Sequence, residues 1–150
     1  MKVILLWLIN EKGELLLSQR AAHRKTDASA WGPSVSGKVD SQEDLKSAVI
    51  RETYEELGLE LKAELLTYLG EITYSNHADG REREFSMYSA SVTSNIIPEL
   101  RLNLDEVAEV KWIEVNELRK LQKAGAQEIT NVHSHELWKN IFSNLEVINV

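Results

Sequence analysis

A chain of 150 residues with a formal net charge of −7 and no cysteine has the length of one domain, 1–150, and no means of making a disulfide, a thiolate metal site or a cysteine nucleophile. The acidic balance argues against a long nucleic-acid partner, yet a small phosphorylated ligand can still be met by a cation and a few local bases. The apolar start, residues 3–9, is too short for a membrane span and lacks a small-residue cleavage site, so a cytoplasmic protein without a membrane partner is expected.

In chain order, residues 3–9 and 14–19 are apolar runs flanking Asn10-Glu11-Lys12-Gly13 and predict a hairpin. The polar stretch 20–30 carries Arg20, His23, Arg24 and Lys25, and Trp31-Gly32-Pro33 punctuates it. The run from about Gln42 to Leu57 has no Gly or Pro and predicts a helix. Ser41 and Asp44 resemble a capping box at its start, and Gly58 ends it. Strands are expected at 61–74, broken at Gly70, and at 84–92, with a turn at 77–80. In the second strand Phe85, Met87, Ser89 and Ser91 share one face, and Tyr88, Ala90 and Val92 the other. After a loop at 95–103 come a strand at 107–113, a short helix at 115–123, and a final amphipathic helix at 134–145 carrying Leu137, Trp138, Ile141, Phe142 and Leu145. This order fits a mixed sheet between helices.

The segment 37–59 carries the chemistry. On a wheel at about 100° per residue, Leu45, Ala48 and Val49 define an apolar stripe, Glu52 and Glu56 fall inside it, and Glu55 lies at its edge. Carboxylates on the core side of a helix are costly unless paired or bound to a cation. At i, i+3 and i+4 the three can converge. Hard oxygens beside a glycine turn suit magnesium, which takes one or two carboxylates and leaves room for water and substrate phosphate. Arg51 adjoins Glu52 and stands four residues before Glu55, placed to hold a carboxylate by a bidentate pair. A plain solvated acidic helix would leave two glutamates on the apolar stripe without a reason.

Gly37, Glu43, Arg51-Glu52, Glu55-Glu56, Gly58 and Leu59 stand at the spacing G-x5-E-x7-R-E-U-x-E-E-x-G-U, with U a bulky apolar residue, and the segment resembles the Nudix box. Thr53 departs from it, standing at a U position. Seven matching letters recur by chance on the order of once in 10^8 to 10^9 starting points. The resemblance implies an α/β fold, a Nudix-type α/β/α sandwich with a mixed β-sheet. It also implies a hydrolase that uses Mg2+, or Mn2+ in its place, to cleave a diphosphate linked to another moiety, usually a nucleoside. Residues 13–20, Trp31, 34–38, 104–107 and Trp112 resemble one branch of that family, which holds the isopentenyl-diphosphate isomerases and hydrolases similar to them. Those isomerases carry a cysteine before the box glycine and a histidine after it. Ser36 and Lys38 stand there instead, which turns the expectation from isomerase to hydrolase. A non-catalytic binding module on the same fold would be expected to have lost box carboxylates, and all are present.

By resemblance, Arg51, Glu52, Glu55 and Glu56 form the catalytic set, and the three glutamates hold the metal with the Gly37 or Ser36 carbonyl as a further oxygen. Glu82 and Glu84 match two metal-holding glutamates of the isomerase branch and are the off-box candidates, Glu84 foremost. Arg20 and Lys38 are assigned to substrate phosphates, ahead of Arg24 and Lys25. His133 and His135 lack a third ligand and read as a polar helix entry, and His23 and His77 as loop residues. Trp31 and Trp112 read as core rather than as base-stacking platforms. A homodimer is expected on base rates alone.

Overall fold

The computed structural model of the protein describes residues 1–25, 28–75, 80–124, 139, 141–143 and 145. Strand β1 (Lys2–Ile9) lies at the centre of the sheet. On one side it runs parallel to β6 (Glu82–Ser91), from Lys2 opposite Glu84 to Ile9 opposite Ser91. Beyond β6 lies β5 (Thr67–Ser75), antiparallel to it. On its other side β1 pairs antiparallel with β4 (Val35–Lys38), from Val3 opposite Lys38 to Leu6 opposite Val35.

The hairpin expected between the first two strands forms only at its closed end. Strand β2 (Glu14–Arg20) meets β1 at Ile9 opposite Leu15, and the two then fork. Strand β7 (Val107–Glu114) runs along the whole outer edge of β2, and past the fork β3 (Trp31–Gly32) takes the other edge. The opening is closed by a side chain. Ser34, fully buried, accepts a hydrogen bond from the Leu8 amide at 2.9 Å and donates to the Leu16 carbonyl at 2.6 Å through the same hydroxyl. Its own carbonyl accepts from the Ser18 hydroxyl at 2.6 Å. Two backbone groups that lost their ladder partners are thus satisfied, as buried polar groups must be.

Alternate side chains of β1 feed two cores. Leu5, Trp7 and Ile9 pack with Phe85, Met87 and Leu118 of helix α2 (Val115–Lys123), and with Ile141, Phe142 and Leu145. Ile4, Leu6 and Leu8 pack with Tyr88 and Ala90 and with Ala48, Val49 and Leu57 of helix α1 (Leu45–Leu57). The expected faces of the 84–92 strand are therefore the observed ones. Each fully buried Leu or Ile contributes about 1.5–3 kcal/mol. The result is the expected α/β/α sandwich around a mixed sheet.

Helix α1 begins at Leu45 rather than near Gln42, and its N-cap is Asp44 rather than Ser41. The Asp44 carboxylate accepts from the Ser47 amide at 2.8 Å and the Ser47 hydroxyl at 2.9 Å. Gly58 ends the helix with φ 66°, and its amide donates to the Tyr54 carbonyl. A 3-10 turn (Ala63–Leu65) occupies the start of the segment read as strand, and the break expected at Gly70 is a register shift between Tyr68 and Gly70. The loop at 95–103 contains another 3-10 turn (Ile97–Glu99). The turn residues 77–79, the His133 and His135 pair, and the start of the final helix with Leu137 and Trp138 lie outside the described residues. Among the described residues no helix is long and apolar enough to cross a membrane.

Candidate active site

Helix α1 buries Ala48, Val49, Thr53 and Leu57, and its periodicity carries Glu52 and Glu56 into the same stripe, at 9% and 7% exposure. The two carboxyl groups lie close enough to act on each other, and the Ser36 amide on β4 lies beside Glu56 and favours its charged form. Burial pushes the Glu56 carboxyl up to about 10, and the neighbouring Glu52 carboxyl and the charge of Glu106 add to the effect. Glu52 is raised as well, first by burial and against the pull of Arg51. Burial thus favours the neutral form at both acids of the pair. Gly37 lies against this pair, where a Cβ would run into the Glu52 carboxyl. Only glycine lets β4 approach so closely.

Arg51 ties the outer side of the site together. Its Nε and Nη2 donate to the two Glu43 oxygens at 2.8 and 2.9 Å, a bidentate pair. Nη1 donates to Glu52 at 3.0 Å and to Glu55 at 3.2 Å, and Nη2 also reaches the Lys38 carbonyl at 3.0 Å. The guanidinium hydrogen bond pulls the Glu43 carboxyl below the usual range, and the same contact raises Arg51. The expected bidentate pair thus exists, with Glu43 as its partner. Glu43 had no role in the sequence reading, although the E-x7-R spacing held the signal.

Glu55 is half exposed and turned toward Arg51 rather than into the buried pair. Among the described residues no three acidic or histidine side chains form a ready-made metal cage. Glu84 is half buried on β6, opposite Lys2 and Thr73, and by strand alternation shares the α1 side of the sheet with Tyr88 and Ala90. Glu82, at the start of that strand, is exposed. Lys38 is exposed at the end of β4, and Arg20 half buried at the end of β2. His23, Arg24 and Lys25 are exposed on the following loop. Trp31 is core, with the Lys111 ammonium 4.3 Å from its ring centre, and half-buried Trp112 donates to the Ser94 carbonyl at 3.1 Å.

Sequence reasoning also missed Glu106, whose charge reaches Glu56 from the loop before β7. That loop caps the helix. The amides of Arg101 and Asn103 donate to the Leu57 and Glu56 carbonyls at 2.8 and 2.9 Å, filling acceptors left open at a helix end. The Glu106 carbonyl in turn accepts from the Ala21 amide, joining the basic loop to the site.

The donor set is chemically that of a hard divalent ion. Burial disfavours the charge of both Glu52 and Glu56, a cost that a cation would offset, and carboxylate and carbonyl oxygens are the ligands such an ion takes. Known proteins resemble the chain in sequence and in fold. The family model described as NUDIX domain matches residues 1–133. An isopentenyl-diphosphate Delta-isomerase from Escherichia coli O127:H6 is 33% identical over 110 residues, covering 73% of this chain and 59% of the isomerase. The chain thus matches less than two thirds of the length of that relative. The solved structure of a MutT protein from Methanosarcina mazei Go1 superposes with TM-score 0.73 at 22% identity, over 99% of this chain and 94% of that one. A MutT NUDIX hydrolase from Burkholderia pseudomallei superposes with TM-score 0.64 at 28% identity, over 77% and 83%.

Proposed function

The chain belongs to the NUDIX domain family, and from that premise we propose that it is a Mg2+-dependent hydrolase cleaving a diphosphate linked to another moiety, a nucleoside by preference, with Mn2+ able to replace Mg2+. The observation that carries this reading is the buried Glu52–Glu56 pair against Gly37, two acids on the core side of a helix with Arg51 reaching Glu52 alone of the two. Glu52, Glu55 and Glu56 would hold the ion, with the Gly37 carbonyl and Glu84 as further oxygens. When bound, such an ion polarises phosphoryl oxygens and lowers the pKa of bound water.

The remaining work falls to side chains already in place. Arg51 holds Glu52 from outside at 3.0 Å, and it holds Glu55 at 3.2 Å, from where Glu55 would turn inward to join the ion. Lys38 and Arg20 stand at the ends of β4 and β2 as phosphate contacts, Lys38 as a point charge and Arg20 as a fork. A glutamate not engaged by the ion, from the box, Glu84 or Glu106, takes the proton of the attacking water. The leaving phosphate departs in line, a reaction that needs positioning and charge stabilisation more than covalent participation. Such an enzyme fits a cytoplasmic setting and a small phosphorylated substrate.

The identity to isomerases favours one second reading, double-bond migration in a C5 diphosphate. Ser36 weighs against it, because a serine hydroxyl of ordinary acidity does not replace a thiol, and the chain has no cysteine at all. A panel of nucleoside triphosphates, dinucleoside polyphosphates, sugar nucleotides and ADP-ribose, read by release of mono- or diphosphate with Mg2+ and with EDTA, tests the hydrolase. Metal-dependent cleavage of at least one class is expected. No cleavage of any, together with NMR-detected turnover of isopentenyl diphosphate, would put the isomerase in its place.

A further inference from the structure

The fork between β1 and β2 bears on the site because β4 leaves from it. Within four residues of Ser34, the chain sets the Ser36 amide beside Glu56, presses Gly37 onto Glu52 and offers the Lys38 carbonyl to Arg51. Where β4 starts therefore sets where three parts of the site sit. Its starting point is fixed by Ser34, whose hydroxyl bridges Leu8 of β1 and Leu16 of β2 while its carbonyl is held by Ser18. Ser34 is fully buried and Ser18 nearly so, so water does not compete for these bonds.

We propose that Ser34 is a positioning residue of the active site: its hydroxyl pins the fork and thereby holds Ser36 and Gly37 against the Glu56–Glu52 pair. The proposal extends the hydrolase reading and rests on it for its catalytic consequence, but its geometric content stands apart. A purely structural serine would stabilise the sheet and leave the site unchanged in the folded molecule. A positioning serine changes the site even where the protein is fully folded.

The test compares Ser34→Ala with Val35→Ala, which opens a cavity in the neighbouring, equally buried position without removing either hydrogen bond of the fork. Three quantities are measured well below the melting temperature of each variant. They are the backbone amide shifts of Ser36 and Gly37 in metal-free protein, Mn2+ affinity by electron paramagnetic resonance, and kcat and KM on the substrate the panel identifies. Ser34→Ala is expected to move both amides, to weaken Mn2+ binding and lower kcat by about 10- to 100-fold, and to leave KM within about twofold. Val35→Ala is expected to lower the melting temperature with the three readouts near wild type. If Ser34→Ala does not fold, Ser18→Ala carries the test, since it releases the Ser34 carbonyl while the hydroxyl bridge stays, and shifts in the same direction are expected. Wild-type amide shifts and Mn2+ affinity in the folded serine variant, or equal effects from Val35→Ala, would overturn the proposal. A wild-type protein that neither binds Mn2+ nor hydrolyses anything would sink the functional reading instead, and the amide shifts would still decide the fork.

Discussion

Glu43 and Glu56 belong to the same short motif, and the fold treats them in opposite ways. Glu43 sits ahead of α1, accepts from Nε and Nη2 of Arg51, and its carboxyl is pulled below the ordinary range. Glu56 sits on the buried side of the helix, faces Glu52, and its carboxyl is pushed up to about 10. One arrangement is complete as it stands, since a cation of the chain already meets the anion. The other is short of countercharge, and burial there favours the neutral acid. The difference teaches where to look for a ligand in an acid-rich segment: at the acids the protein leaves short of countercharge, not at those it has paired.

The strongest way to break this contrast is Glu56→Gln. Hydrolysis should fall by about 10^3-fold, the scale of losing several kcal/mol of transition-state stabilisation from a metal site. The metal-free melting temperature should hold or rise, because a neutral amide replaces a protonated acid. A clear drop in metal-free stability would mean that Glu56 is a structural acid like Glu43. Next in size, Arg51→Ala removes the partner that Glu43 has and Glu52 shares. A loss of about 10- to 100-fold in kcat, with a lower melting temperature, is expected from steady-state kinetics and calorimetry. Unchanged kcat would confine Arg51 to holding the loop.

The titration of the two acids sharpens the contrast further. Glu56 binds its proton more tightly folded than unfolded, so its contribution is present below the ordinary glutamate value and lost as pH rises toward about 10. Glu43 is the reverse: its contribution is present above that value and lost as pH falls through its lowered one. Denaturation in EDTA across pH 5 to 9 should therefore show stability declining with pH, and Mg2+ should flatten the decline by taking the place of the proton. A metal-free profile that rises across that window would contradict the assignment. The smallest effect is expected from Thr53→Val. Thr53 is fully buried, and its hydroxyl donates to the Val49 carbonyl one turn back at 2.6 Å. Its polar group is satisfied within the helix, so stability should move by no more than about 1 kcal/mol and kcat by less than about twofold.

Helical periodicity made the buried pair legible, because 100° per residue is a property of the backbone and the apolar stripe names the core side by itself. Arg51 was legible as a clamp, but its main partner was not. Glu43 stands just outside the helix, where the wheel has no authority, and a loop brings it back. Glu106 was invisible for a plainer reason: its approach to Glu56 depends on a loop some fifty residues downstream in sequence capping the end of α1, and no local pattern encodes that. The fork was missed because alternation identifies strands without naming their neighbours. Two apolar runs around a glycine turn predict a hairpin, and here β4 on β1 and β3 on β2 claimed most of the facing edges that the hairpin would have used.

The parallel ladder of β1 with β6 has a consequence in time. Lys2 must find Glu84, and Leu15 of β2 must find Ile113 of β7, so neither half of the sheet closes until most of the described chain has been made. At about 5–20 residues per second, β1 waits on the order of ten seconds on the ribosome for its partner. In that interval the apolar β1 segment has only β4 and the tip of β2 beside it, and the box helix has half a platform. Contacts of such long sequence separation make folding slow, and they also make it late: the acids that would hold an ion are drawn into the interior only when synthesis of the sheet is nearly finished.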